Sequence, residues 1–162
     1  MVIFSKKHDF VEIPPLVNLK GDLLVGNHLR LEHIMVEYGF IKELEMSFND
    51  AVEKVTEELR KEGFGVLSTI DLKEKFKEKL NIDFKNYLIL GVCNPPFSYK
   101  SLLAEENIGL LLPCNVIIYE KGKTTVVGII KPSSAMGMID NDELSEIAAG
   151  IETKLKKVSE AL

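Results

Sequence analysis

Arginine is nearly missing from this chain: Arg30 and Arg60 are the only two in 162 residues. Forked, bidentate recognition of phosphate is therefore poorly supplied. The formal net charge of −5 points the same way. A general nucleic-acid binder needs a surface that neutralises phosphates, so no nucleic-acid partner is expected. Long hydrophobic runs are lacking as well. The longest, Ile108 to Tyr119, is interrupted by Pro113 and Asn115 and is too short to span a bilayer. The start, MVIFSKKHDF, places its apolar patch before its lysines, the reverse of a signal peptide. The expectation is a cytoplasmic, unprocessed chain with no membrane partner. Histidine is confined to His8, His28 and His33, none at ligand spacing from a cysteine. Zinc then requires the N-terminal segment to fold over a thiol. No G-x-S-x-G elbow, H-E-x-x-H, Walker loop or G-x-G-x-x-G occurs. The reading leans away from an enzyme, and no cofactor is implied.

What remains is the composition of an ordinary globular protein, 46% hydrophobic and 28% charged, long enough to bury one core. Lysine, glutamate and isoleucine are abundant, a balance typical of thermophiles. Residues 1–37 mix proline, glycine and asparagine with short apolar groups and read as an extension to a single domain at 38–162. Within HLRLEHIMVEYG, Leu31, Ile34, Met35 and Tyr38 share a helical face that Gly39 would end, with a strand running on through FIKELEMS as the alternative. FIKELEM alternates as a strand does. Ser47 to Leu59 reads as a capped amphipathic helix stopped at Gly63. FGVLSTI is a strand, and Asp71 with Glu74 caps a short helix. YLILGVC is a strand, NPPFSYKSLLAEE a helix, and GLLLPCNVIIYE a strand in which Pro113 marks an edge or a bulge. Lys121-Gly122 turns into TTVVGIIK. Asp140 and Glu143 predict a capping box for a final helix with Leu144, Ala148, Ile151, Leu155, Val158 and Leu162 on one seam. That helix is expected to lie across the sheet, with helix pairing between subunits as the alternative. Gly150, inside it, predicts close packing against a neighbour.

From Phe40 onward, SFNDAVEKVTEELRKEGFGVLSTIDLKEKFKEKL and YLILGVCNPPFSYKSLLAEENIGLLLPCNVIIYE closely resemble the domain-of-unknown-function family number 302. The motifs are a GF-V strand after the first helix, an N-P step, a following L-L, and G-L-L-L-P entering a strand. The resemblance implies an α+β fold of the TATA-binding-protein-like class: one twisted β-sheet packed against helices, with the long C-terminal helix across it. It also implies a homodimer. It implies no activity, and the cysteines are less regular in the family than N-P and L-P.

Cys93 and Cys114 are the only cysteines, and each precedes an asparagine at a break in the pattern. A return helix between two strands would bring them to one level. Two readings stand. Cysteine is often a small buried hydrophobe. Alternatively, Cys93, Asn94, Cys114 and Asn115 form a thiol or ligand site, with Asn94 as N-cap and Pro95 opening a helix whose positive end favours a thiolate. Met136 and Met138 would add two soft ligands suited to Cu(I), against the plainer role of filling a gap. Three functions follow: a homodimeric module binding a small ligand, sulfur species or metal near CNPP and PCN; a redox or sulfur-transfer protein using Cys93 and Cys114; or a structural protein with no active site.

Overall fold

The computed structural model describes residues 36–162. The expected extension and its three histidines, together with most of the helix expected over 27–38, lie outside the described residues. The described end of that helix is a turn at Glu37–Tyr38, and Gly39 opens a strand.

The order is β1 (Gly39–Leu44), α1 (Phe48–Lys61), β2 (Gly65–Asp71), α2 (Leu72–Leu80), β3 (Tyr87–Cys93) and α3 (Pro95–Ala104). A 3₁₀ segment (Glu106–Leu111), β4 (Cys114–Lys121), β5 (Thr124–Ile130), α4 (Pro132–Met136) and α5 (Asp142–Ala161) complete it. The strands form one antiparallel sheet in the order β1-β5-β4-β3-β2. This is the expected α+β class, with a single sheet and a long C-terminal helix.

Local chemistry sets the element boundaries. Ser47 Oγ accepts from the Asp50 amide at 3.2 Å and begins α1. Gly63, at φ +83°, ends it. There the amides of Gly63 and Phe64 return to the carbonyls of Arg60 and Leu59 at 3.0 and 2.9 Å, a Schellman closure. Asp71 Oδ1 accepts from the Glu74 amide and starts α2. Gly122, at φ +64°, makes the β4–β5 turn. The α5 cap falls one residue later than expected. Asn141, not Asp140, accepts from the Leu144 amide at 3.1 Å, and its side-chain NH2 also donates to the Ala104 carbonyl, which holds it in place.

Two expectations are corrected. Residues 106–111 form a 3₁₀ turn, and Pro113 precedes β4 through a cis bond instead of lying inside a strand. β4 is also interior to the sheet, paired on both sides. A proline with no amide to donate fits at such an entry, before ladder pairing begins.

One sheet face is the core. Val92, Val116, Ile118, Val127 and Ile129 alternate inward beneath α1 and α5. α5 contributes Leu144, Ile147, Ala148, Ile151, Leu155 and Val158, so the heptad seam faces the core of its own chain. Gly150 marks the predicted close approach: a Cβ there would stand 2.9 Å from Phe97 Cε1 of α3.

Candidate functional site

Cys93 ends β3 and Cys114 begins β4, with Val92 opposite Cys114 in the antiparallel ladder. The strands are thus neighbours running in opposite directions, and their adjacent ends bring both thiols to the lining of one cavity. Both are free thiols. Phe64, Phe97, Leu112 and Ile151 supply most of the wall, and Asn94 and Ser98 the polar part. The volume is about 10 Å³, the lower limit for one water molecule.

The polar atoms here are already engaged. The Cys93 thiol donates to Ser98 Oγ at 3.1 Å, and that hydroxyl donates to the Pro95 carbonyl at 3.2 Å. Asn94 occupies the N-cap position of α3, but its side chain caps no amide. Pro95 and Pro96 have no N–H for it to accept. It donates instead to the Glu62 carbonyl at 3.2 Å, fastening the end of α1 to the start of α3. Burial pushes the Cys114 thiol up to about 11, with the neighbouring Cys93 adding to the rise. Among the described residues, no carboxylate, lysine or histidine lines the cavity to take or stabilise a thiol proton.

The glycine of GVCNPPF has a separate reason. A Cβ on Gly91 would fall 2.7 Å from Pro113 Cγ and 2.4 Å from Ser68 Oγ. The proline that enters β4 therefore packs on the only residue type β3 can place there.

The methionines do not join the thiols. Met136 is buried in the core cluster, whereas Met138 is 74% exposed, and neither lines the cavity. Among the described residues, no group of three or more His, Cys, Asp or Glu side chains could hold a metal ion.

Asn115 is separated from the other three candidate residues. Strand alternation turns it to the opposite face, together with Ile117 on β4, Gly128 and Ile130 on β5, and Gly39 and Ile41 on β1. With Tyr38, these residues line a pocket of about 160 Å³. Gly128 lets two of the lining side chains pack over its backbone: a Cβ there would stand 2.8 Å from Ile117 Cγ1 and 3.0 Å from Ile41 Cδ1. Sequence reading passed over this pocket. Its one signal was a glycine inside the β-branched run TTVVGII, a pattern that marks close approach of a backbone or ligand.

Comparison with known proteins gives a fold and a family. A family model described as "Domain of unknown function DUF302" matches residues 40–162. A crystal structure of an uncharacterized conserved DUF302 protein from Bacillus stearothermophilus is 34% identical, with a TM-score of 0.71. The match covers 76% of this chain and 97% of that one. No functionally curated protein matches. Among the described residues, no helix is long and apolar enough to cross a membrane.

Proposed function

The chain belongs to the DUF302 family of unknown function, and on that premise we propose that it is a homodimeric, non-enzymatic module that binds a small ligand in the pocket between β1, β5 and β4. The observation that carries this reading is the pocket of about 160 Å³, whose isoleucine walls pack over Gly128. An apolar cavity of about 150 Å³ is large enough for a benzene-sized molecule. Isoleucines dominate an almost wholly apolar lining, and within this proposal Asn115 and Tyr38 are the lining residues able to hydrogen-bond a ligand. This combination suits a small aromatic or branched aliphatic molecule bearing one hydroxyl or carbonyl group. It links the site to the PCN segment through Asn115 alone. A cytoplasmic setting belongs to the proposal, supported by two thiols that are left unpaired.

Calorimetric titration with phenol and with toluene tests the reading. Both should bind wild type, and Gly128→Val, if its cooperative melting is retained, should abolish both by pushing Ile117 and Ile41 into the pocket. Asn115→Ala, at an exposed position, should weaken phenol more than toluene. Equal binding to wild type and Gly128→Val would refute the pocket as the site.

A second reading, redox or sulfur transfer at Cys93 and Cys114, is supported by their shared cavity. The raised Cys114 pKa and the lack of a base in the lining count against it. Peroxide treatment followed by peptide mapping tests it. A Cys93–Cys114 disulfide formed in the folded protein would favour redox use, and two unmodified thiols would remove it.

A further inference from the structure

Among the described residues, β1 and β2 are the two edge strands of the sheet, and they are treated very differently. On β1, Lys42 Nζ reaches the Ser159 and Glu160 carbonyls of α5 at 3.3 and 3.4 Å. Glu43 pairs with Lys121 at 2.8 Å. That edge is charged and tied down, as free edges usually are. On β2, every residue from Gly65 to Ile70 is exposed, and none carries a charge. Leu67 is 68% exposed and Ile70 44%. The bulge between Val66 and Ser68 does not shield this edge; the extra residue it inserts is Leu67, an apolar side chain turned to solvent. The helix α2, which follows β2 in the chain, has no buried residue at all. Leu80, Ile82 and Phe84, at its end and just after it, are exposed apolar residues as well.

We propose that β2 is the edge through which two copies of this chain pair, antiparallel, joining two five-stranded sheets into one of ten. The occupant follows from chemistry. The free edge of an antiparallel sheet presents alternating amides and carbonyls that another extended strand can pair in place of water. A two-fold axis sets a strand antiparallel to its own copy, so that residue i faces residue j and j faces i, and only a residue on the axis faces itself. An uncharged strand can therefore pair in any register without burying a charge. The run from Gly65 to Ile70 meets that condition, whereas on β1 Lys42 and Glu43 are already engaged with α5 and Lys121. In a chain of net charge −5, an uncharged strip is where two copies approach with least repulsion. The proposal rests on the homodimer reading above and names its surface; it is independent of the ligand pocket at the other side of the sheet.

Sedimentation equilibrium of the full chain, with hydrogen exchange at residues 66–70, is the test. Wild type should sediment as two chains, and the β2 amides should lose protection on dilution. Leu67→Asp puts one carboxylate from each copy into the middle of the uncharged strip at an already exposed position, so it should stay folded and weaken association about 100-fold or more. Should Leu67→Asp lose cooperative melting, the wild-type dilution series decides by itself. A wild type that remains a single chain at high concentration overturns both the homodimer and this surface. A dimer whose β2 amides exchange equally fast at all dilutions, or that survives folded Leu67→Asp unchanged, overturns the surface alone. Phenol binding should be equal in wild type and Leu67→Asp, so failure of the pocket reads out separately.

Discussion

Raising the pH from 8 to 11 titrates ordinary cysteine, and in this protein it should leave Cys114 untouched over most of that range. Burial between β4 and the helix layer raises its thiol from 9.0 to about 11. At pH 8 the thiolate fraction then falls from about 1 in 10 to about 1 in 1,000, so alkylation should run about 100-fold slower than for an unhindered thiol. A stability effect accompanies it. The pKa is raised in the folded state, so between pH 9 and 11 the folded chain keeps a proton that the unfolded chain releases. The contribution is therefore complete below pH 9 and is lost as pH climbs through 11. Two pH units correspond to roughly 3 kcal/mol. Other groups titrate in this window, among them Tyr87 and Lys121, both also raised. The useful quantity is the difference in urea-unfolding free energy between wild type and Cys114→Ala, measured at pH 8, 9, 10 and 11. It should be flat from pH 8 to 9 and shrink thereafter. A difference that is constant across the series, together with rapid iodoacetamide labelling of Cys114 at pH 8, would refute the reasoning.

Gly91→Ala should destabilise by about 1–3 kcal/mol, because its methyl meets both Pro113 and Ser68; chemical denaturation measures this, and a neutral result would contradict the packing. Gly150→Ala should destabilise wild type by the clash with Phe97, yet stabilise a Phe97→Ala background by about 1 kcal/mol through helix propensity. Equal effects in both backgrounds would show that Phe97 is not what the glycine accommodates. Leu155→Ala should cost about 2–5 kcal/mol, since Leu155 is fully buried where α5 crosses the sheet; a loss within 0.5 kcal/mol would mean that α5 packs elsewhere.

Elements whose boundaries are set by neighbours in sequence were legible. Ser47 and Gly63 bracket α1, Gly122 turns the hairpin, and the seam from Leu144 to Leu162 identified the core helix. Residues 106–113 were not, because a short apolar run carries no period that separates strand from 3₁₀ turn. Their fate is set by Pro113 packing on Gly91, a contact between strands. The same limit applies to the site. Cys93 and Cys114 were expected at one level and do share a cavity, but through the adjacent ends of antiparallel strands and not through a helix that returns the chain, and strand alternation carries Asn115 to the other face. Asn94 looked like a cap from local sequence alone; its partner, the Glu62 carbonyl, lies 32 residues away. The Gly128 pocket depends on three strands meeting in register, which only the fold supplies.

Methyl NMR of isoleucine-labelled protein during a phenol titration tests the central claim most directly. The δ1 methyls of Ile41, Ile117 and Ile130 should shift saturably and together, while Ile151 beside the thiol cavity stays fixed. Shifts confined to Ile151, or none at any of the four, would contradict a ligand site on the β1–β5–β4 face.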